Sequence, residues 1–281
     1  MYRYSVLSLL LMFGVAIYSA SPQQIDDKSV AAVWLFEDGK GKVAKDASGH
    51  DNHAEFVNDG IKWVKGKFGK GVQLNGDDQW LTIETEKGKK AVETDFKEKK
   101  NFSIHAWVFA EEDPTGKCII WRGLGCSSWS QYLLGTGAHE NGDNATDATF
   151  HIRQANGGAK LEVRGDTIDK KKWTHVVGTY DGKALSIYQG GKLIKSEKVD
   201  AVPWASPEHV YIGADPGCGK RCQWKGIIDE VALFNVTLNA AQVKALSSGF
   251  EKAMAVQADY KLPTYWSQVK IARAVSYTHL R

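Results

Sequence analysis

Cysteine is scarce in this chain, with four residues in 281, and proline scarcer than usual, with six. Four thiols rule out a small scaffold held together by dense disulfides and leave room for an accessory bridge or two. No Pro- or Ser-rich stretch interrupts the sequence, so nothing reads as a linker to a second folded domain. A dominant charge sign is also missing: 36 Lys and Arg face 33 Asp and Glu, a formal net of +3. That balance provides no basic footprint for nucleic acid and no acidic tail. At this length a full hydrophobic core can be buried, which excludes a wholly disordered chain.

Long apolar runs are limited to one. After Arg3 comes Val6–Ala20, VLSLLLMFGVAIYSA, the charged and hydrophobic regions of a secretory leader. Residues 1–20 therefore read as a signal peptide cut after Ala20, although Tyr18 is large for its place before the cut. The run is short for a membrane span of ~20 residues. No cysteine follows it to receive a lipid. With the leader removed, 35 basic and 33 acidic residues leave +2. The expectation is an exported protein, secreted or periplasmic, with no membrane span after cleavage and an environment that permits disulfides.

What is abundant is tryptophan and glycine, 10 and 28 residues, a composition of strands and turns. Phe102, Ile104, Ala106 and Val108 alternate with Ser103, His105, Trp107 and Phe109, the two-residue period of a strand packed on both faces. The run Trp173–Tyr180 is followed by Asp181-Gly182, then Ala184–Tyr188, Gly190-Gly191 and Leu193–Glu197. Such dipeptides between β-rich runs mark hairpins, because their turns need positive φ. Further strands are predicted at Ala31–Phe36, Val72–Leu74, Trp80–Ile83, Ile119–Arg122, Tyr132–Leu134, Ala148–Arg153, Lys160–Val163, His209–Ile212 and Gly226–Phe234. One helix is clear, capped by Asn239, with Val243 and Leu246 inward and Gly249 ending it. About a dozen short strands and one late helix predict an all-β sandwich of two antiparallel sheets.

Several segments then fall into a recognisable order. Val33–Asn52 (VWLFEDGKGKVAKDASGHDN), Gly66–Ile83 (GKFGKGVQLNGDDQWLTI), FSIHAWVF, WTHVVGTYDGKALSIYQGGKLI, VYIGAD and Gly226–Leu246 (GIIDEVALFNVTLNAAQVKAL) together resemble the concanavalin A-like, laminin G-like jelly roll, in the pentraxin-related form of secreted bacterial proteins. The resemblance implies a jelly-roll β-sandwich over residues 28–249, with 250–273 as a C-terminal extension. Ala274–Arg281, AVSYTHLR, fits nothing before it and resembles translated sequencing adapter, so 274–281 reads as a non-native tail.

Jelly-roll glycan hydrolases place acids on one strand as Glu-x-Asp-x-x-Glu, flanking the scissile bond. No such run occurs. The nearest pair, Asp229-Glu230, is adjacent in sequence and is expected to point to opposite faces. No nucleophile elbow, zinc-protease or phosphate-loop motif is present, and the expectation is a non-catalytic module with no catalytic residues. For a metal, calcium wants clustered carboxylates and loop carbonyls. The family resemblance implicates Asp229 with Asp46 or Asp77 in a structural calcium site, although Asp in these motifs also makes turns unaided. The cysteines form two local pairs in sequence, Cys118 with Cys126 and Cys218 with Cys222. Pairing between the two loops is the alternative, and it would staple a ligand-binding rim. Near these loops stand Trp129 and Trp224, with Arg122, Gln131, His151 and Arg153 on neighbouring strands. An indole face stacks on sugar rings while Arg and Gln bind hydroxyls, so a glycan or other cell-surface ligand is the expected partner. The competing expectation for the tryptophans is that they fill the core. A hydrolase or lyase with an unfamiliar acid pair and a structural adhesion module are the alternative functions.

Overall fold

The computed structural model describes residues 25–83, 96, 101–123, 130–137, 145–154, 158–204, 206 and 208–255. Sixteen strands and two helices lie within them. In chain order they are β1 (Val30–Trp34), β2 (Val43–Ala44), β3 (Ala54–Val57), β4 (Lys62–Lys65), β5 (Lys70–Asn75), β6 (Trp80–Ile83), β7 (Phe102–Ala110), β8 (Cys118–Gly123), β9 (Ser130–Thr136), β10 (Asp147–Arg153), β11 (Lys160–Thr167), β12 (Trp173–Tyr180), β13 (Ala184–Gln189), β14 (Lys192–Lys198), β15 (Val210–Ile212) and β16 (Lys225–Phe234), then α1 (Ala240–Leu246) and α2 (Phe250–Ala255).

The strands form two antiparallel sheets. The first runs β14-β13-β12-β7-β16-β5-β4, with β1 also on β16, and the second runs β11-β10-β9-β8-β15-β6-β3-β2. Inward residues of both sheets make the principal core, Phe102, Ile104, Ala106 and Val108 of β7 facing Tyr132, Leu134, Phe150 and Ile152 of β9 and β10. This is the predicted jelly-roll sandwich. The hairpins follow their turn chemistry. Asp181 Oδ1 accepts hydrogen bonds from Lys183 N at 2.8 Å and Ala184 N at 2.7 Å, and Gly190 and Gly191 both hold positive φ.

A second apolar cluster lies on the outer face of the first sheet. Val177, Ala232 and Phe234 there pack against Val243 and Leu246 of α1 and Phe250 and Met254 of α2. Asn239 caps α1 through a full capping box with Gln242. The stretch from Phe250, read from sequence as an extension, thus begins as a packed helix, with Phe250 stacked 6.1 Å from Phe234. The leader, residues 1–20, and the tail, 274–281, lie outside the described residues, as do Cys126 and Trp129.

Candidate ligand-binding face

Cross-strand register places one continuous row of side chains on the outer face of the second sheet. Tyr211 pairs with Trp121, Trp121 with Leu133, Leu133 with His151, and His151 with Glu162. Directly opposed residues in an antiparallel sheet share a face. Their neighbours Phe150, Ile152 and Val163 belong to the core, so the row points away from it. Arg153, Lys160 and Arg164 lie on the same outer face by the two-residue period.

The row has a buried half and a partly exposed half. Trp121 and Leu133 are covered and pack with Cys118, Cys218 and Cys222, with half-buried Tyr211 against them. His151 is buried, its Nε2 2.8 Å from Ser130 Oγ, its ring edge-on to Trp121 at 5.9 Å. Towards β11 the covering thins only in part: Arg153 stays buried at 9% exposure, and the Lys160 and Arg164 side chains are 11% and 27% exposed. Glu162 bridges Lys160 Nζ at 2.9 Å and Arg164 Nη2 at 3.1 Å, and its side chain stays 23% exposed. Arg153 Nη1 donates to the Gly158 carbonyl at 3.3 Å. The strip presents a planar guanidinium, an ammonium and a carboxylate in a fixed array, which suits bidentate contact with vicinal hydroxyls or acids.

Of the residues singled out from sequence, Arg153 lies on this strip. Gln131 is fully buried where the β8–β9 register slips between Arg122 and Gly123. Arg122 pairs with Tyr132 and Val210, both core residues, so it lies on the inner side and donates to the Ser206 carbonyl at 3.2 Å. Trp224, expected on an exposed loop, is 0% exposed and packs in the principal core. Its backbone N–H is tied to the Gly213 carbonyl at 2.8 Å, which turns the indole in under the sheet. Sequence reading passed over Glu162 and Arg164. Their signal was the Lys-x-Glu-x-Arg alternation of β11, visible only once the face of that strand was known.

Of the contacts the sequence leaves open to its cysteines, the fold makes one between the two loops. Cys118 N donates to the Cys222 carbonyl at 2.8 Å, and the two side chains are hydrogen-bonded to each other. The cause is long-range: Ile120 of β8 pairs with Ile212 of β15, and the turn after β15 delivers Cys222 to the start of β8. Burial, then the neighbouring Cys222, pushes the Cys118 thiol well above its usual range.

The three acids expected to hold calcium are engaged separately. Asp46 is buried and accepts from Val33 N, Ser48 N, Ser48 Oγ and Asn52 N at 2.8–3.0 Å. Asp77 pairs with Lys220 at 2.5 Å. Asp229 is 0% exposed and accepts from Phe68 N at 2.9 Å and Glu230 N at 2.8 Å. Among the described residues no three His, Cys, Asp or Glu side chains cluster as a metal site. An ion at Asp46 would displace four protein donors, so these carboxylates do not fit a shared calcium site.

Asp229 and Glu230 point the same way, contrary to the expectation from alternation. The β16 register slips between Asp229 and Ala232, and Glu230 takes φ +44°, a bulge that resets the pleat. Glu230 Oε2 accepts from Phe250 N at 2.9 Å under α2. Asp229 faces Trp107 across the β16–β7 pair, and burial pushes its carboxyl up to about 7. Both acids are buried, at 0% and 4% exposure.

The profile of the Concanavalin A-like lectin/glucanases superfamily matches residues 75–244, more than half the chain. Domain 4 of AbnA, a GH43 extracellular arabinanase from Geobacillus stearothermophilus, solved in complex with arabinotriose, superposes with a TM-score of 0.58 at 19% identity, covering 78% of this chain and 98% of that one. The binding domain of Paraclostridial Mosquitocidal Protein 1 superposes at 0.58 and 16% identity, covering 80% and 53%. The binding domain of Botulinum neurotoxin DC, in complex with rat synaptotagmin II, superposes at 0.57 and 17%, covering 79% and 52%. This chain spans about half the length of those toxin domains. None of the curated proteins matches the sequence.

Proposed function

Because the chain belongs to the concanavalin A-like lectin/glucanases superfamily, we propose that it is an exported, non-catalytic binding module that recognises carbohydrate on the outer face of its second sheet. The observation that carries the reading is the strip of Arg153, Lys160, Glu162 and Arg164 beside the packed Trp121–Leu133–His151 row. These side chains stand on strands rather than loops, so their spacing is held by the ladder hydrogen bonds. A rigid array of planar donors and a carboxylate matches the hydroxyl pattern of a sugar ring. The fold-level neighbour crystallised with arabinotriose adds support by analogy. The synaptotagmin-bound neighbour keeps a protein receptor as the alternative outcome.

A hydrolase using Asp229 and Glu230 is disfavoured by their covering. Two catalytic carboxylates must flank an open cleft that admits the glycosidic bond, and these two are capped by backbone donors beneath Phe68 and α2. Export rests on the leader, residues 1–20. The deciding experiment is a glycan-array screen of the mature protein, run with calcium and again with chelator. Binding in both conditions is expected. No glycan bound in either condition overturns the carbohydrate reading and directs attention to protein receptors.

A further inference from the structure

Cys118 and Cys222 are 104 positions apart, yet the fold brings them side by side. Gly213 N donates to the Ile119 carbonyl at 2.9 Å, Trp224 N to the Gly213 carbonyl at 2.8 Å, and Cys118 N to the Cys222 carbonyl at 2.8 Å. Those bonds tie the start of β8 to both ends of the helical turn Pro216–Arg221. Both cysteines are buried beside Trp121 and Leu133. A direct N–H···O bond between two residues sets their Cα atoms within the range a disulfide spans. The Cys218 sulfur is itself disulfide-bonded. It lies 3.1 Å from Asp215 Oδ2, a close contact rather than a hydrogen bond, because a disulfide sulfur has no proton to give.

We propose that Cys118 and Cys222 close a long-range disulfide beneath the candidate binding face, joining β8 to the end of the 216–221 turn. The step balances as thiol–disulfide exchange with a disulfide-bearing oxidant such as oxidised glutathione. One cysteine thiolate attacks the oxidant and releases one reduced thiol. The second thiolate then attacks the mixed disulfide, forms the Cys118–Cys222 bond and releases the other. Two protons leave the protein thiols, and the oxidant takes up two electrons. The bond would fix the floor on which Trp121 and Leu133 rest, and the inference holds whether or not the face above binds a glycan.

Trypsin separates all four cysteines, so every pairing has its own signature. Cleavage yields CIIWR (Cys118–Arg122), CQWK (Cys222–Lys225), a peptide of residues 123–153 carrying Cys126, and one of residues 199–220 carrying Cys218. The full chain is refolded in a glutathione redox buffer, its remaining thiols are blocked with iodoacetamide, and it is digested without reductant. The expected product is CIIWR linked to CQWK, lost on reduction. CQWK linked to 199–220, CIIWR linked to 123–153, or both short peptides recovered alkylated would overturn the proposal. As a second readout, the Cys118→Ser/Cys222→Ser protein is expected to melt about 10 °C below the oxidised parent, from the large loop such a bond closes. Equal melting temperatures would count against the bond.

Discussion

Asp229 and His175 flank one residue: each is the direct cross-strand partner of Trp107, Asp229 from β16 and His175 from β12. His175 lies 5.1 Å from the Trp107 ring and 4.9 Å from His105, centroid to centroid. The ring nitrogens of His175 have no hydrogen-bond partner. Lys67 sits over the Trp107 indole at 4.6 Å. Glu37 adds to the rise of the Asp229 carboxyl after burial. On this outer face of the first sheet, burial therefore favours the neutral forms of His105, His175 and Asp229.

That patch makes stability depend on pH in opposing directions. Burial takes His175 down to about 3 and holds His105 well below its usual range, with neighbouring His175 adding to the fall. Between those values and the ordinary 6.5 the unfolded chain binds more protons at each histidine, so acid destabilises the fold there. Asp229, raised to about 7, works the other way: between its unfolded value near 3.8 and 7 the folded state holds the extra proton, so stability falls as pH rises. Near pH 5 unfolding takes up two protons at the histidines and releases one at Asp229. The parent protein should lose stability from pH 6.5 to 4.5, and Asp229→Asn should steepen that loss. His175 and Asp229 each account for roughly 4 kcal/mol across their windows. Urea unfolding at several pH values gives the slopes, and parallel slopes for parent and variant would show that Asp229 titrates as an ordinary surface acid.

Gly178 marks a close approach between the sheets. A Cβ built there would sit 2.3 Å from the Phe150 ring of β10, well inside contact distance in a close-packed core. Gly178→Ala should cost about 1–3 kcal/mol of unfolding free energy. Gly178→Ala combined with Phe150→Leu should recover part of it. A single variant as stable as the parent in urea would mean the sheets separate freely at this point.

Asp46 gathers more donors than any other side chain of the first loop. With four donors on one buried carboxylate, Asp46→Ala should cost about 2–4 kcal/mol, because backbone N–H groups would be left unpaired. Adding calcium should leave the melting temperature of the parent where chelator leaves it. A calcium-dependent rise in the parent that vanishes in Asp46→Ala would return this residue to a metal site.

On the second sheet, Glu162→Gln and Arg153→Ala should each weaken glycan binding at least about tenfold, the loss expected for one charged hydrogen bond. Far-ultraviolet circular dichroism should stay unchanged, which separates lost binding from lost fold. Titration calorimetry with the best array glycan checks this, and parent-like affinity in both variants would move the site off this strip.

Local pattern was enough for the strands. Trp80–Ile83 and Trp173–Tyr180 appear at the predicted bounds, because alternation and Asp-Gly or Gly-Gly turns act over a few residues. Weakly patterned edges escaped notice, as in β2, β3 and β4, which are two to four residues long and mostly only partly buried or exposed. The ordered motifs also sufficed for the family, since their sequence spans most of the chain.

Position in three dimensions was decided elsewhere. Alternation assigned Asp229 and Glu230 to opposite faces, and a bulge with positive φ at Glu230 put both on one. Neighbourhood in the chain left the cysteine pairing open, and strand pairing brought Cys118 beside Cys222, 104 positions away. A polar context suggested an exposed Trp224, and one backbone hydrogen bond to Gly213 turned it into the core. In each case the deciding contact is long-range: periodicity records which residues avoid water, while the sheet register and its defects settle which of them meet.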